Sequence, residues 1–183
     1  MSDTVEPRGG RRPEAEEYDA YYAGYVERVP DGPILARLAG QTERLRALLA
    51  VLAPGGGACR YAAGKWSIKQ VIGHLADAER IFGMRATCIA RGETAALPGF
   101  EQDEYALAGA FDARNLESLV RELELLRGAN LEMFGTLSES AWDRRGTASG
   151  VPVSVRGLAW IIAGHVEHHL TILQDRYRDA FIA

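Results

Sequence analysis

Four stretches of the chain repeat apolar residues at three- and four-residue steps, and no comparable run alternates apolar with polar side chains. Helices turn every 3.6 residues and strands every two, so this pattern restricts the fold to packed helices. The first stretch carries Ile34, Leu35, Leu38, Leu45, Leu48, Leu49 and Leu52, with Pro33 near the first helical position and Pro54-Gly55-Gly56-Gly57 as its stop. The second opens at Ser67-Ile68-Lys69-Gln70, which reads as a capping box, and runs through Val71, His74, Ala78, Ile81 and Met84 to about Arg91. A third begins near Asn115 and includes Leu116, Leu119, Val120, Leu123, Leu126 and Leu131. The last starts near Ser154 and holds Leu158, Ile161, Ile162, His165, His169, Ile172 and Leu173. Four amphipathic helices in one chain bury their apolar stripes most simply as an all-α four-helix bundle.

The segments between helices are informative in different degrees. Tyr18, Tyr21, Tyr22 and Tyr25 predict a short extra N-terminal helix ending at Pro30-Asp31-Gly32. Leu97-Pro98-Gly99-Phe100, followed by Glu101, Asp103 and Glu104, belongs to a connection longer than usual, of the kind that shapes a site. Trp142 to Val153 reads as loop, with one short strand-like stretch in GVPVSV. Residues 1–14 lack an apolar period and are expected to form a flexible tail, leaving 15–183 as a single domain.

Composition excludes several functions. Hydrophobic residues at 47% against 25% charged place the chain among folded proteins rather than disordered ones. Lys and Arg total 21 against 25 Asp and Glu, a net charge of −4, so the dense basic footprint of a nucleic-acid binder is missing. Cys59 and Cys88 form neither a CxxC pair nor a disulfide framework. No run approaches the roughly 18 apolar residues of a membrane span, and no apolar segment follows the N-terminal basic residues. The expectation is a cytoplasmic protein with small-molecule partners and no contact with nucleic acid or membrane.

Chemistry concentrates in the histidines. Of four in the chain, His165, His168 and His169 lie within five residues of the last helix, and His74 lies on the second. At about 100 degrees per residue, His165 and His169 fall about 20 degrees either side of the centre of their helix's apolar arc, and His168 about 80 degrees away. His74 shares a face with Val71, Ala78 and Ile81. Two inward histidines on one helix and a third on a facing helix are a ligand set for one divalent transition metal with positions left open. The competing reading makes them core histidines satisfied by hydrogen bonds. Val166 follows His165 where a zincin needs Glu, with Glu167 one position further and read as a surface charge. Val71, Ile162, His165 and Val166 stand three before the histidines, which excludes the ExxH of di-iron bundles. No GxSxG nucleophile or phosphate-binding loop is present.

Other side chains are weaker candidates. Asp77 could hold the free N–H of His74, or simply be solvated beside Glu79 and Arg80. His168 could contact substrate or hydrogen-bond at the edge of the core. Trp66 anchors the second helix or walls a pocket, Trp142 and Trp160 pack, and Glu101 and Asp103 rim the site or are merely hydrated.

The stretch from Lys65 to Arg80, with its Trp66-Ser67 start and His74-Leu75-Ala76-Asp77-Ala78-Glu79-Arg80 core, resembles the DinB/YfiT-like superfamily, as does Ala163-Gly164-His165-Val166-Glu167-His168-His169-Leu170. The similarity runs from about Tyr21 to Tyr177. It implies a bundle in up-down-down-up order holding one divalent metal (nickel, zinc or iron) through His74, His165 and His169. It also implies a metal-dependent enzyme that activates a low-molecular-weight thiol or water, for S-transfer to a small electrophile or its hydrolysis, as in relatives that use bacillithiol or mycothiol or isomerise maleylpyruvate. The alternative is a non-catalytic metal or ligand binder, or a stress-related interaction protein, on the same bundle. A homodimer is expected, with the Tyr-rich helix at its interface.

Overall fold

The computed structural model describes residues 11–182. Short 3-10 turns at Ala15–Glu17 and Ala20–Tyr22 lead into α1 (Ala23–Val26), followed by α2 (Ile34–Ala50), α3 (Ile68–Ala90), α4 (Gln102–Ala108), α5 (Leu116–Gly135) and α6 (Glu139–Trp142). A hairpin of β1 (Arg145–Ala148) and β2 (Val151–Ser154) then delivers the chain to α7 (Val155–Arg176).

The long helices start where the sequence places their caps. Ser67 Oγ accepts from the Gln70 N–H at 3.0 Å while Gln70 Oε1 accepts from the Ser67 N–H at 3.0 Å, completing the capping box. Asn115 caps α5 through the N–H groups of Glu117 and Ser118, and Ser154 caps α7 through that of Gly157. Pro33 differs by one place: it sits before the first helical residue, Ile34.

Side-chain pairings fix the topology. Along α3 and α5, Ile72 and Leu75 share a cluster with Leu119 and Leu123, whereas Ile89 shares another with Phe134, so these helices run parallel. In α7, Ile161 packs with the Ile89 end of α3 and Leu173 with the Ile72 end, which makes α3 and α7 antiparallel. Ile34 and Leu38 of α2 lie with the start of α7, and Leu45 and Leu49 with its end. The order is therefore up-down-down-up. Both clusters are built from closed apolar side chains, each contributing roughly 1.5–3 kcal/mol by burial. Buried polar side chains, Gln41, Glu79, Arg127 and His165, stand along the helices between the residues of the two clusters.

Two connections, and the last residues of the expected N-terminal tail, depart from expectation. The 97–104 connection continues into α4, whose acidic first turn, Asp103 and Glu104, suits the positive end of the helix dipole. Only Ala106 of α4 is buried, too little for an apolar period to appear. The 142–153 segment is a hairpin in register from Arg145↔Ser154 to Ala148↔Val151, and Leu97 pairs with its tip through Thr147 O and the Ser149 N–H. Of the expected tail, residues 1–10 lie outside the described residues, but Arg11 to Glu14 are held in place. Arg12 donates to the carbonyls of Val26 at 2.8 Å and Val29 at 2.6 Å and lies 4.5 Å over the Trp160 ring. Polar anchoring of this kind leaves no trace in hydrophobic periodicity.

Candidate metal centre

Where α3 and α7 cross, three imidazoles converge. His165 Nε2 lies 2.9 Å from His74 Nε2 and 3.2 Å from His169 Nε2, and the three donor atoms all fall within 4.8 Å of one another. The i, i+4 spacing places His165 and His169 on one face of α7, and antiparallel packing brings His74 opposite them. The histidines are 3%, 5% and 7% exposed, so each nitrogen needs a partner other than bulk water.

Their electrostatics favour neutral rings. Burial lowers His74 to about 4, with His168 adding to the shift. Burial also holds His165 and His169 well below the ordinary histidine range, and repulsion from the neighbouring histidines acts in the same direction. Neutral imidazoles offer lone pairs.

Hydrogen bonding among the rings cannot satisfy the cluster. His165 Nε2 has either one proton or one lone pair, yet it faces two other ring nitrogens. His169 Nδ1 is buried with no partner among the described residues, so this ring lacks the second anchor that a hydrogen-bonded core gives a histidine. A cation at the ordinary metal–nitrogen distance of about 2.0–2.1 Å from each ring separates the nitrogens by about 3.0–3.4 Å, close to the 2.9 and 3.2 Å that separate His165 Nε2 from those of His74 and His169. The residues present fit a divalent transition metal better than a hydrogen-bonded core.

The surrounding candidates divide. Trp66 stands beside the cluster, its ring 4.7 Å from that of His74 and stacked on His169 at 6.4 Å, while its carbonyl accepts from Tyr177. His168 is half-buried, with its ring 5.4 Å from Tyr25 and 5.1 Å from His169. Asp77 instead accepts from Arg80 at 3.2 Å and is no hydrogen-bond partner of His74 among the described residues. Glu167 is more than a surface charge: its Oε1 accepts from Gln41 at 2.9 Å and from Arg44 at 2.7 Å, clamping α2 to α7. Trp142 and Trp160 are fully buried packing residues.

A cavity opens on each side of the cluster. The first, of about 310 Å³, is walled by His74, His165, Tyr22, Tyr25, Phe82 and Phe100 and includes Glu101 at its edge. The second, of about 270 Å³, is bounded by His169, Trp66, Lys65, Tyr61, Tyr177 and Asp103. Gln102, the first residue of α4, borders both. The long connection thus shapes the site through residues more specific than its acidity suggested. Tyr22, Tyr25 and Phe82 carry no sequence signal that separates cavity walls from core.

A bundle in this order with three buried, converging imidazoles defines a class of helical proteins built around a histidine cluster. The profile of the DinB superfamily matches residues 8–173, and the chain belongs to that superfamily. Its fold is similar to YfiT from Bacillus subtilis, described as a probable metal-dependent hydrolase with an unusual four-helix bundle topology, with a TM-score of 0.71 over 95% of both chains at 16% identity. It is also similar to the mycothiol-dependent maleylpyruvate isomerase, with a TM-score of 0.62 at 19% identity, over 80% of this chain and 61% of the isomerase. No curated protein sequence matches. Among the described residues, no helix is long and apolar enough to cross a membrane.

Proposed function

We propose that this protein is a metal-dependent enzyme acting on small electrophilic molecules, with His74, His165 and His169 as ligands. The observation that carries this reading is three buried imidazoles whose donor atoms lie within 4.8 Å of one another, bordered by two cavities. A divalent ion there, nickel, zinc or iron, supplies a Lewis acid able to acidify a thiol or water. The protein's own part is to hold three neutral rings in place, so that the positive charge of the ion is not cancelled by its ligands. Tyr22, Tyr25 and Phe82 line the approach to His165 on one side and Trp66 that to His169 on the other, so aromatic rings flank the reacting centre.

Two cavities meeting at one cluster suit two reactants, which supports transfer of a low-molecular-weight thiol over hydrolysis. His74 and His165 face the first cavity and His169 the second, so each reactant has its own approach. The test is elemental mass spectrometry on untagged protein beside a His165→Ala/His169→Ala variant of matching helical content. About one transition metal per chain, absent from the variant, is the expected result. A wild type that neither carries nor takes up nickel, zinc or iron sinks the reading.

A further inference from the structure

Three arginines are buried among the described residues, and two of them face carboxylates: Arg127 with Glu79 at 2.8 Å and Arg156 with Asp143 at 2.7 Å. Arg85, on α3 about three turns beyond His74, is 1% exposed and has only neutral acceptors. Its Nη2 donates to the Pro98 carbonyl at 2.6 Å and to Ser149 Oγ at 2.9 Å, the Tyr22 hydroxyl is a further neutral partner, and its Nε is buried without a partner among the described residues. Its carbon Cζ lies 5.5 Å from the Phe82 ring centroid and 5.8 Å from that of Phe100, two walls of the first cavity. A buried guanidinium without an anion is costly, and such an arrangement is uncommon where no ligand completes it.

Ser149 adds an independent observation. It stands at the tip of the β1–β2 hairpin with φ 54°, next to Gly150 with φ 80°. Two successive positive φ angles make a type I′ turn, whose first position favours Asn, Asp or Gly because a side chain there strains the backbone. Serine at this position brings a hydroxyl into the lining of the first cavity, alongside His74 and His165, with the carboxylates of Asp19 and Glu101 elsewhere in the same lining. Its Oγ already accepts from Arg85. Ser149 is exposed and its hydroxyl hydrogen has no acceptor among the described residues, so it is given to water until a bound molecule takes it.

We propose that Ser149, backed by Arg85, is an anion subsite of the first cavity, and that the cavity takes a small carboxylate whose acid group accepts the Ser149 hydroxyl hydrogen while its body lies against Tyr22, Phe82 and Phe100. The Arg85 charge, one hydrogen bond behind the serine, offsets the bound anion without itself reaching the cavity surface. A neutral analogue of the same shape lacks that attraction, so discrimination by charge is the signature. The substrate class named here rests on the reading of this cavity as a reactant site.

The test uses benzoate and its neutral isostere benzamide, titrated calorimetrically into the full chain, once stripped of metal by chelator and once loaded with nickel. Stripping removes direct attachment of the carboxylate to metal as an explanation. Stripped wild type is expected to bind benzoate at least tenfold more tightly than benzamide, and Ser149→Gly to lose that preference. Glycine suits φ 54°, so the variant keeps or raises its melting temperature while binding falls, which a merely structural serine does not produce. Arg85→Gln, judged by circular dichroism for folding, is expected to lose the same preference. No measurable benzoate binding, no preference for the anion in stripped wild type, or a preference that survives in Ser149→Gly overturns the subsite. Nickel content of the same samples separates the two readings: a chain that holds no nickel but prefers benzoate keeps the subsite and loses the metal centre, and the converse result does the reverse.

Discussion

Arg127 and Glu79 are joined by two parallel hydrogen bonds, Nε to Oε1 at 2.9 Å and Nη2 to Oε2 at 2.8 Å, with both side chains closed to solvent. The same guanidinium donates through Nη1 to the Leu38 carbonyl at 2.7 Å and to Gln41 Oε1 at 3.0 Å. Gln41 Nε2 in turn reaches the Ala163 carbonyl at 2.8 Å. One side chain from α5 therefore engages α3 and α2 directly and α7 through Gln41, at the level where His165 leaves α7. The network sets the relative height of the two helices that carry the histidines.

Removing one partner of this pair is expected to cost far more than removing both. Arg127→Met leaves the Glu79 carboxylate buried with Asn130 as its remaining side-chain donor, a loss of about 3–5 kcal/mol. Replacing both residues, Arg127→Met with Glu79→Leu, recovers most of it, because an apolar pair leaves no uncompensated charge. Urea unfolding midpoints of the three proteins measure this. A single variant within about 1 kcal/mol of wild type refutes the assignment.

Gly164 lets α1 lie directly on α7. A Cβ at this position collides with the Tyr25 carbonyl oxygen and falls 2.9 Å from the Tyr25 Cα, both backbone atoms that cannot rotate aside. Gly164→Ala is expected to push α1 away, lose about 1–3 kcal/mol by overpacking and loosen Tyr25 from His165. Gly128, exposed in α5, has open space where a methyl group would stand, with nothing within 4 Å, so Gly128→Ala is expected to gain up to about 1 kcal/mol. Paired thermal melts in which both substitutions shift stability in the same direction contradict the packing described.

Acid acts on the chelator-treated protein through its histidines. Burial lowers His74 from 6.5 to about 4 in the folded state, so between these values the unfolded chain binds more protons. Stability from this residue is intact above about 6.5 and is lost as pH falls, by about 3 kcal/mol once pH is below about 4. His165 and His169 shift in the same direction and add to the slope. Urea midpoints from pH 7.5 to 4.5 are expected to fall more steeply for wild type than for His74→Asn. Parallel profiles exclude His74 as a source.

Much of this architecture is written locally. Ser67, Asn115 and Ser154 mark helix starts by side-chain chemistry that acts within three residues, and each cap is present. The face arithmetic places His165 and His169 inward because a helix conserves its period over two turns, and both are buried. Gln41, Glu79 and Arg127 are polar residues at inward positions, and a hydrophobic pattern registers them only as gaps. Their partners lie on other helices, as do those of Glu167, which is why that residue reads as a surface charge. The hairpin at 145–154 is hidden for another reason: Gly146 and Pro152 are poor strand formers, and its register is set by contact with Ile89 and Leu97.

Asp77 and His168 flank the proposed ligands in sequence, and the geometry separates them from the three converging nitrogens. Asp77 belongs to a ladder along the α3–α5 surface, in which Arg80 also reaches Glu122 at 2.6 Å and Glu122 accepts from Arg114. Losing a carboxylate that orients a ligand imidazole typically costs about 10–100-fold in metal affinity. Asp77→Asn, which leaves the His74 ring untouched, is expected to stay within about twofold of wild type for nickel. His168→Ala removes a ring from beside Tyr25 and His169 without removing a converging nitrogen, so its metal content is expected to remain that of wild type. Competition titrations with a chromogenic chelator measure both. A tenfold loss in Asp77→Asn means that the carboxylate swings to His74 when the ion binds, and metal-free His168→Ala protein transfers a ligand role to His168.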